Sequence, residues 1–363
     1  MVKVIKTWFH RYFSDPQAVF LAILLLTSFT ILMTMSQMLA PVLVSLVIAY
    51  LLEGLIQGLQ RWRILRAIAV FFVYSAFITL LYFIVVVLLP SLSFQLDTLV
   101  KGLPSYIEQG QQLLKELPEK LELISEEQVN GIIELIRSKV KDISQTLLSY
   151  SWASLQAAIT LIVYSILVPL LVFFFLKDKQ QILDWLVGFL PNEHSVAKQI
   201  WFEMDAQMGN YIRGKVYEIF LVGTFTYFVF AYLLEFWFTK PLEYASLLAV
   251  FVGLSVIIPY VGAVLVTFPV VIVAYFQVQS DPSLGAHFFY WVTGAYLVIQ
   301  ALDGNVLVPL LFSETVNLHP VAIIIAILVF GGLWGFWGIF FAIPLATLVK
   351  ALLSAWPRTP VES

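Results

Sequence analysis

The chain has 363 residues, of which 61% are hydrophobic and 12% charged, with a mean hydropathy of +0.92. One water-soluble core cannot hide that much apolar surface, so the composition points to a polytopic, all-α membrane protein. A net charge of -3 gives no basis for nucleic-acid binding, and the absence of cysteine excludes disulfides, thiolate chemistry and cysteine metal sites.

The first apolar run, Ala18 to about Met35, follows Lys3, Lys6 and Arg11. It is longer than a signal-peptide core and no small-residue cleavage site follows it, so it reads as a retained first span. A second run, Leu39 to Leu59, is started by Pro41 and is expected to return across the membrane. It carries Glu53 and Gln57, and its Gly54 and Gly58 have the spacing of close helix packing. Beyond the basic cluster Arg61, Arg63 and Arg66, a third span runs from about Ala67 to Leu89 and is expected to close at Pro90.

Residues 1–90 thus form the first part of the molecule. From Ser91 to Ser149 charges appear at helical intervals, which marks a water-exposed helical insert, 91–149. Pro104 and Pro118 are expected to divide it into short amphipathic helices, and Ser125 with Gln128 reads as a capping box opening a longer one. On that helix Val129, Ile133, Ile136, Val140, Ile143 and Leu147 step by four and three, a heptad seam that wants a partner. Packing within the loop and packing on a second copy are both open.

The third part, 150–363, reads as a transport-type membrane domain. Its first span runs from Trp152 to Leu176 with Pro169 inside it, and a loop, 177–215, follows on the basic side. The next span, about Val216 to Phe238, has Glu218 and Glu235 near its ends, where a carboxylate can reach headgroup water. Tyr244 to Phe276 is broken at Pro259-Tyr260-Val261-Gly262 into two arms of about fifteen residues, short of the roughly 20 a crossing helix needs, which favours a hairpin over two oblique spans.

His287 to Phe312 is unusual because Gln300, Asp303 and Asn305 lie inside it, with Pro309 close behind. Asp-Gly-Asn is turn chemistry, so a break is expected there. An ionised carboxylate deep in a span costs roughly 2.5–3.5 kcal/mol, and the apolar runs offer no Lys or Arg to pair with Asp303. Two roles follow: a wall of a transport path, with Gln300 and Asn305 supplying hydrogen bonds, or a cap on a half-helix beginning after Asn305.

The last block, Asn317 to Lys350, is almost wholly apolar, yet Gly331, Gly332, Gly335 and Gly338 interrupt it, with Pro320 before them and Pro344 beyond. Its arms hold about eleven residues each, too few to cross alone. Two half-helices meeting at a glycine turn fit better than one tilted helix, and such bare backbone must sit inside protein or line a watery cavity. Close packing of Gly331 and Gly335 on a neighbouring helix is the alternative. About eight membrane segments result, two of them broken or re-entrant.

Basic residues in short loops set the orientation. With the N-terminus inside, Lys3, Lys6, Arg11, Arg61, Arg63, Arg66, Lys177, Lys179, Lys198, Arg213, Lys215, Lys350 and Arg358 are cytoplasmic, and only Lys240 falls in a short outside loop. Both termini are then inside and the 91–149 insert outside.

Enzyme motifs are missing: no G-x-x-x-x-G-K-[ST], H-E-x-x-H, G-x-S-x-G or Rossmann glycine fingerprint is present. No cofactor is implied and ATP hydrolysis is not expected. The 4 histidines, His10, His194, His287 and His319, lack metal-ligand spacing, and only His319, before Pro320, has a place near a transport path.

Tyr211-Ile212-Arg213-Gly214-Lys215, the Pro259 to Gly262 break, Gln300 to Pro309, and Leu318-His319-Pro320 through Gly331, Gly335-Phe336-Trp337-Gly338 and Ala342-Ile343-Pro344 together resemble the autoinducer-2 exporter family of bacterial membrane proteins. The resemblance extends over the order and spacing of the whole chain. It implies an oligomeric permease of the bacterial plasma membrane, some members of which are associated with export of the signalling furanone autoinducer-2 and others with sodium–proton exchange. It makes Tyr211, Arg213 and Gly214 family-motif residues. The expected partners are the bilayer, a small polar solute or ion, and further copies of the chain. A cation–proton antiporter and a non-transporting membrane protein that binds partners through its outer helices are the alternatives.

Overall fold

A computed structural model describes residues 16–120, 131, 134, 138, 154–188, 195–259, 261–312 and 318–355, and all regular structure among them is helical. Five of these helices are long and apolar enough to cross a membrane: Met38–Arg61, Arg66–Gln112, Met204–Phe238, Val261–Ser280 and Pro282–Phe312. Shorter apolar helices, Val163–Lys177, Ala245–Ser255, Pro320–Trp334 and Ala342–Leu352, lie among them. The heptad seam from Val129 to Leu147 and the Ser125 capping box fall outside the described residues.

Helix α1 (Pro16–Arg61) contains both of the first two apolar runs, and only Met35, at φ -118 and ψ 17, leaves the helical range. An antiparallel helix pair needs a loop of about 2–5 residues. The expected return between the runs is therefore corrected to a bend, and the side of the N-terminus no longer follows from counting crossings.

The third span likewise does not end at Pro90. Helix α2 (Arg66–Phe83) passes through a π turn, Ile84–Leu88, into α3 (Leu89–Lys120), which runs through Pro90, Pro104 and Pro118. Proline has no N–H and its ring collides with the carbonyl four residues back. Widening the preceding turn, so that the Leu89 N–H bonds the Ile84 carbonyl, moves the Val86 carbonyl aside. The change of composition at Ser91 marks a change of environment along one rod. α3 is amphipathic and docks on the helices below it: the Gln95 amide donates to Ser246 Oγ at 2.5 Å and accepts from the Leu247 N–H at 3.2 Å, and Tyr106 stacks on Phe276.

Helices α4 (Ser154–Lys177) and α5 (Lys179–Val187) lead to α6 (Ser195–Phe228), which continues through a π turn, Val229–Leu233, into the short α7 (Leu234–Phe238). α6 is the organising element. Its buried positions Met204, Tyr211, Lys215, Glu218, Val222 and Thr226 form one helical stripe that Val229 of the π turn continues. One part of that stripe packs with Phe312 and Ile343, another with α8 (Ala245–Ser255), α9 (Val261–Ser280) and α10 (Gly285–Leu302). A separate core around Ile56, Val172 and Leu176 joins α1, α2 and α4.

At the Pro259 break the arms are unequal, 11 residues in α8 and 20 in α9, so the expected pair of fifteen-residue arms is corrected. The turn is tight: a side-chain carbon at Gly262 would stand 1.7 Å from the Ser255 carbonyl oxygen. At the far end of α9, Lys240 and Ser283 hydrogen-bond Asp281, holding its carboxyl below the usual carboxylate range, with Lys240 the larger influence.

After Leu302 no break occurs. Helix α10 passes through a π turn, Asp303–Leu307, into α11 (Val308–Phe312), with the Val308 N–H on the Asp303 carbonyl. Pro309 stands to this turn as Pro90 does to the first, so the Asp-Gly-Asn turn expected here is a widened helical turn. In the last block α12 (Pro320–Trp334) ends at Gly335, whose φ of 58 and ψ of -131 disfavour any side chain, and α13 (Phe336–Phe340) and α14 (Ala342–Ala355) follow. A carbon on Gly338 would lie 1.8 Å from the Phe330 carbonyl oxygen, and one on Gly331 2.8 Å from Ile339 Cγ1. These close approaches fold α13 back onto the end of α12, and α14 also lies against α12. Gly332 meets nothing within 4 Å. Pro344 lies in α14, where its carbonyl accepts from Thr347 Oγ1.

Candidate functional site

The segment Tyr211 to Lys215 sits in the middle of α6 and is used residue by residue. Tyr211 Oη donates to the Phe340 carbonyl at 3.0 Å, tying α6 to the end of α13. Arg213 donates to Asn210 Oδ1 at 2.8 Å and lies over Gly54 of α1, where a side-chain carbon would come within 2.5 Å of Arg213 Cδ. Gly214 leaves room for the Phe312 ring, which a carbon there would meet at 2.8 Å.

Lys215 turns inward. Its Nζ donates to Glu218 Oε2 at 2.6 Å and to the Val256 carbonyl at 2.9 Å, and it stands 5.1 Å from the centre of the Phe312 ring. Val256 closes α8, so the ammonium sits at the negative end of that helix, on one of the carbonyls a helix terminus leaves without an internal partner. Lys215 is 4% exposed and Glu218 1%. The expectation that Lys215 lies in a cytoplasmic loop and that Glu218 reaches headgroup water is thereby corrected. α6 begins far before Val216, and at spacings of four and three from Tyr211 both residues fall on its buried stripe.

Asp303, 8% exposed, faces the same place from the π turn that follows α10. It feels the charge of Lys215, and Glu218 feels that of Asp303. Lys215 supplies the positive charge that the apolar runs lacked, although its ion pair is with Glu218 and not with Asp303. Asp303 makes no cap hydrogen bond, and its Oδ1 is buried without a hydrogen-bond partner among the described residues. Three ionisable side chains from two spans, together with a helix-end carbonyl from a third, thus meet inside an apolar bundle.

The other path candidates are not gathered there. Gln300, one turn before Asp303, donates to Tyr296 Oη at 2.9 Å, and Tyr296 Oη donates to the Ala263 carbonyl at 2.7 Å, which ties α10 to the start of α9. Asn305 is exposed and donates back to the Ala301 carbonyl. His319 is the N-cap of α12, its Nδ1 accepting from the Val321 N–H, with Pro320 opening the helix. Among the described residues no three His, Asp or Glu side chains are placed to hold a metal ion.

Apolar helices of spanning length around a buried ionisable centre define a polytopic membrane protein built to hold polar groups within the bilayer. The chain belongs to the AI-2E transporter family: the family model, described as AI-2E family transporter, matches residues 18–358. It is 44% identical over 359 residues to the Escherichia coli K12 protein named "Putative permease PerM", covering 98% of each chain. The AI-2 transport protein TqsA of the same strain is 24% identical over 322 residues, 88% of this chain and 86% of TqsA. A Bacillus subtilis protein named "Putative transport protein YueF" is 28% identical over 317 residues, 86% of this chain and 82% of YueF.

Proposed function

We propose that this chain is a secondary transporter that moves a small polar solute across the bacterial inner membrane without ATP hydrolysis, and that its route passes Lys215, Glu218 and Asp303. One observation carries the proposal: Asp303 Oδ1 lies buried beside an ion pair with no donor among the described residues. A buried polar atom without a partner costs roughly 1–3 kcal/mol, and a hydroxyl or amine of a passing solute supplies the missing donor. Lys215 balances one carboxylate of the two, Glu218, and leaves Asp303 to a donor from the solute. The Pro259 break places the Val256 carbonyl on Lys215, and the end of α13, beyond the Gly335 break, accepts a hydrogen bond from Tyr211 of α6.

A small solute rich in hydroxyl groups fits this chemistry. Autoinducer-2, given as cargo in the name of TqsA, is the first to test. The turn at Arg61–Arg66 and the Lys177–Lys179 junction are assigned to the cytoplasmic side, where short basic segments collect, and the permease is assigned to a homo-oligomer. Purified protein in liposomes loaded with autoinducer-2 should release it faster than protein-free liposomes, with or without ATP. Background leakage of autoinducer-2 and of a panel of small polyols and amino alcohols would overturn the proposal.

A further inference from the structure

We propose that the cleft between the ends of α1, α2, α4 and α5 binds a phosphate ester, in the bilayer the headgroup of an anionic phospholipid. The cleft encloses about 370 Å³ and is lined by Glu53, Arg66, Lys177, Asp178, Lys179 and the glutamines that follow. Its floor is internally satisfied. Arg66 grips Glu53 through two bonds of 3.0 Å and donates to the Leu176 carbonyl at 2.9 Å, so the buried carboxylate is neutralised from within.

The two lysines are held differently. Lys179 Nζ is 3.8 Å from Glu53 Oε1 and Lys177 Nζ is 3.9 Å from Asp178 Oδ1, both beyond hydrogen-bond length, which leaves their N–H groups available to a new acceptor. Three cations face two carboxylates, a surplus of positive charge. Asp178 precedes the first turn of α5 without capping it, so the first backbone N–H groups of this helix, whose Lys179, Gln180 and Gln181 line the cleft, are donors of the kind anions take.

Position selects the source of the phosphate. Three apolar helices, α1, α2 and α4, end together here, and the turn joining the first two exposes Trp62 at 80% and Leu65 at 71%. Tryptophan with basic neighbours at the end of a span marks the headgroup level. A lipid phosphate at that depth reaches Lys177 and Lys179, while its acyl chains lie along the exposed apolar faces of α2 and α4.

The test is a thermal-stability titration of the full-length protein in neutral detergent with short-chain phosphatidylglycerol, phosphatidylcholine of equal chain length, and inorganic phosphate. Phosphatidylglycerol should raise the melting temperature saturably and phosphatidylcholine should not. Lys177→Gln/Lys179→Gln should weaken the apparent affinity roughly thirty-fold, and Lys177→Arg/Lys179→Arg should restore it. Arg61→Gln/Arg63→Gln removes as much charge from the same end of the bundle but outside the cleft, and should weaken it far less. Equal losses in the two glutamine variants, or equal stabilisation by both lipids, would overturn the site. Should Lys177→Gln/Lys179→Gln fail to fold, Lys179→Met read in the same titration decides the matter. Inorganic phosphate that matches phosphatidylglycerol and loses its effect in the same variants would assign the cleft to a soluble phosphate and overturn the lipid.

Discussion

Replacing Lys215 by Met keeps the length of the side chain and removes its charge from the centre of the bundle. Glu218, 1% exposed, and Asp303, 8% exposed, would then be two buried carboxylates with no cation between them, and the Val256 carbonyl would lose its donor. Breaking a buried pair by deleting one partner costs roughly 3–5 kcal/mol, whereas replacing the whole pair by uncharged groups costs far less. Lys215→Met should therefore lower the unfolding free energy by about 3–5 kcal/mol, and Lys215→Met/Glu218→Gln should recover at least about 2 kcal/mol of that loss, a coupling well above the additivity of independent sites. Unfolding of the four members of this cycle in mixed micelles, followed by tryptophan fluorescence, supplies the numbers. A Lys215→Met protein within about 1 kcal/mol of wild type, with additive changes around the cycle, would refute a buried Lys215–Glu218 pair.

Gly338→Ala should cost at least about 3 kcal/mol, because its new methyl meets the Phe330 carbonyl at 1.8 Å, while Gly332→Ala should stay within about 1 kcal/mol of wild type; equal effects in a melting experiment would contradict the hairpin packing. Asp281 has a depressed carboxyl, so the stability it contributes is present above its unfolded value near 3.9 and is lost as pH falls through the lower folded value. Wild type and Asp281→Asn should accordingly differ in melting temperature at pH 6, and the difference should shrink as pH falls below about 4; an unchanged difference would remove the Lys240–Asp281 contact from the account. In this cysteine-free chain, cysteines introduced at Arg61 and Ser280 should fall on opposite sides of the membrane, so an impermeant thiol reagent on intact cells labels Ser280→Cys and not Arg61→Cys. The reverse pattern would invert the orientation.

Composition and apolar run length made the helical membrane class legible, and the glycine and proline breaks at 259–262 and 331–338 stood out because turns need those residues. What periodicity could not show was continuity. Pro90 and the Asp303-Gly304-Asn305 triplet look like helix endings, but a π turn just before the proline lets each helix continue, and nothing in a local sequence pattern distinguishes the two outcomes. Met35 deceived in the same way, since a bend and a loop of short length leave similar gaps between apolar runs.

Asp303 could be found from the sequence because a carboxylate in an apolar run is costly wherever it stands. Its partners could not, because Lys215 and Glu218 stand at the cytoplasmic end of an expected span that in fact begins earlier. Extending the stripe of Met204, Met208 and Tyr211 by four and three residues reaches both, and this was the signal available. Gln300 and Asn305 share Asp303's segment, but their faces on α10 and on the π turn after it send one to Tyr296 and the other outward.

The central claim is that a solute passes Asp303 and bonds to its Oδ1, which has no partner among the described residues. Asp303→Asn is nearly isosteric but cannot carry the charge, and flux of the transported solute through liposomes holding equal amounts of folded wild type and variant measures what the charge does. Losing a hydrogen bond to a charged group costs roughly 1.5–3 kcal/mol, so flux should fall about ten- to hundred-fold, with an unchanged melting temperature, while Asn305→Ala transports at the wild-type rate. Transport by Asp303→Asn at the wild-type rate across a range of pH would contradict the account and take Asp303 off the route.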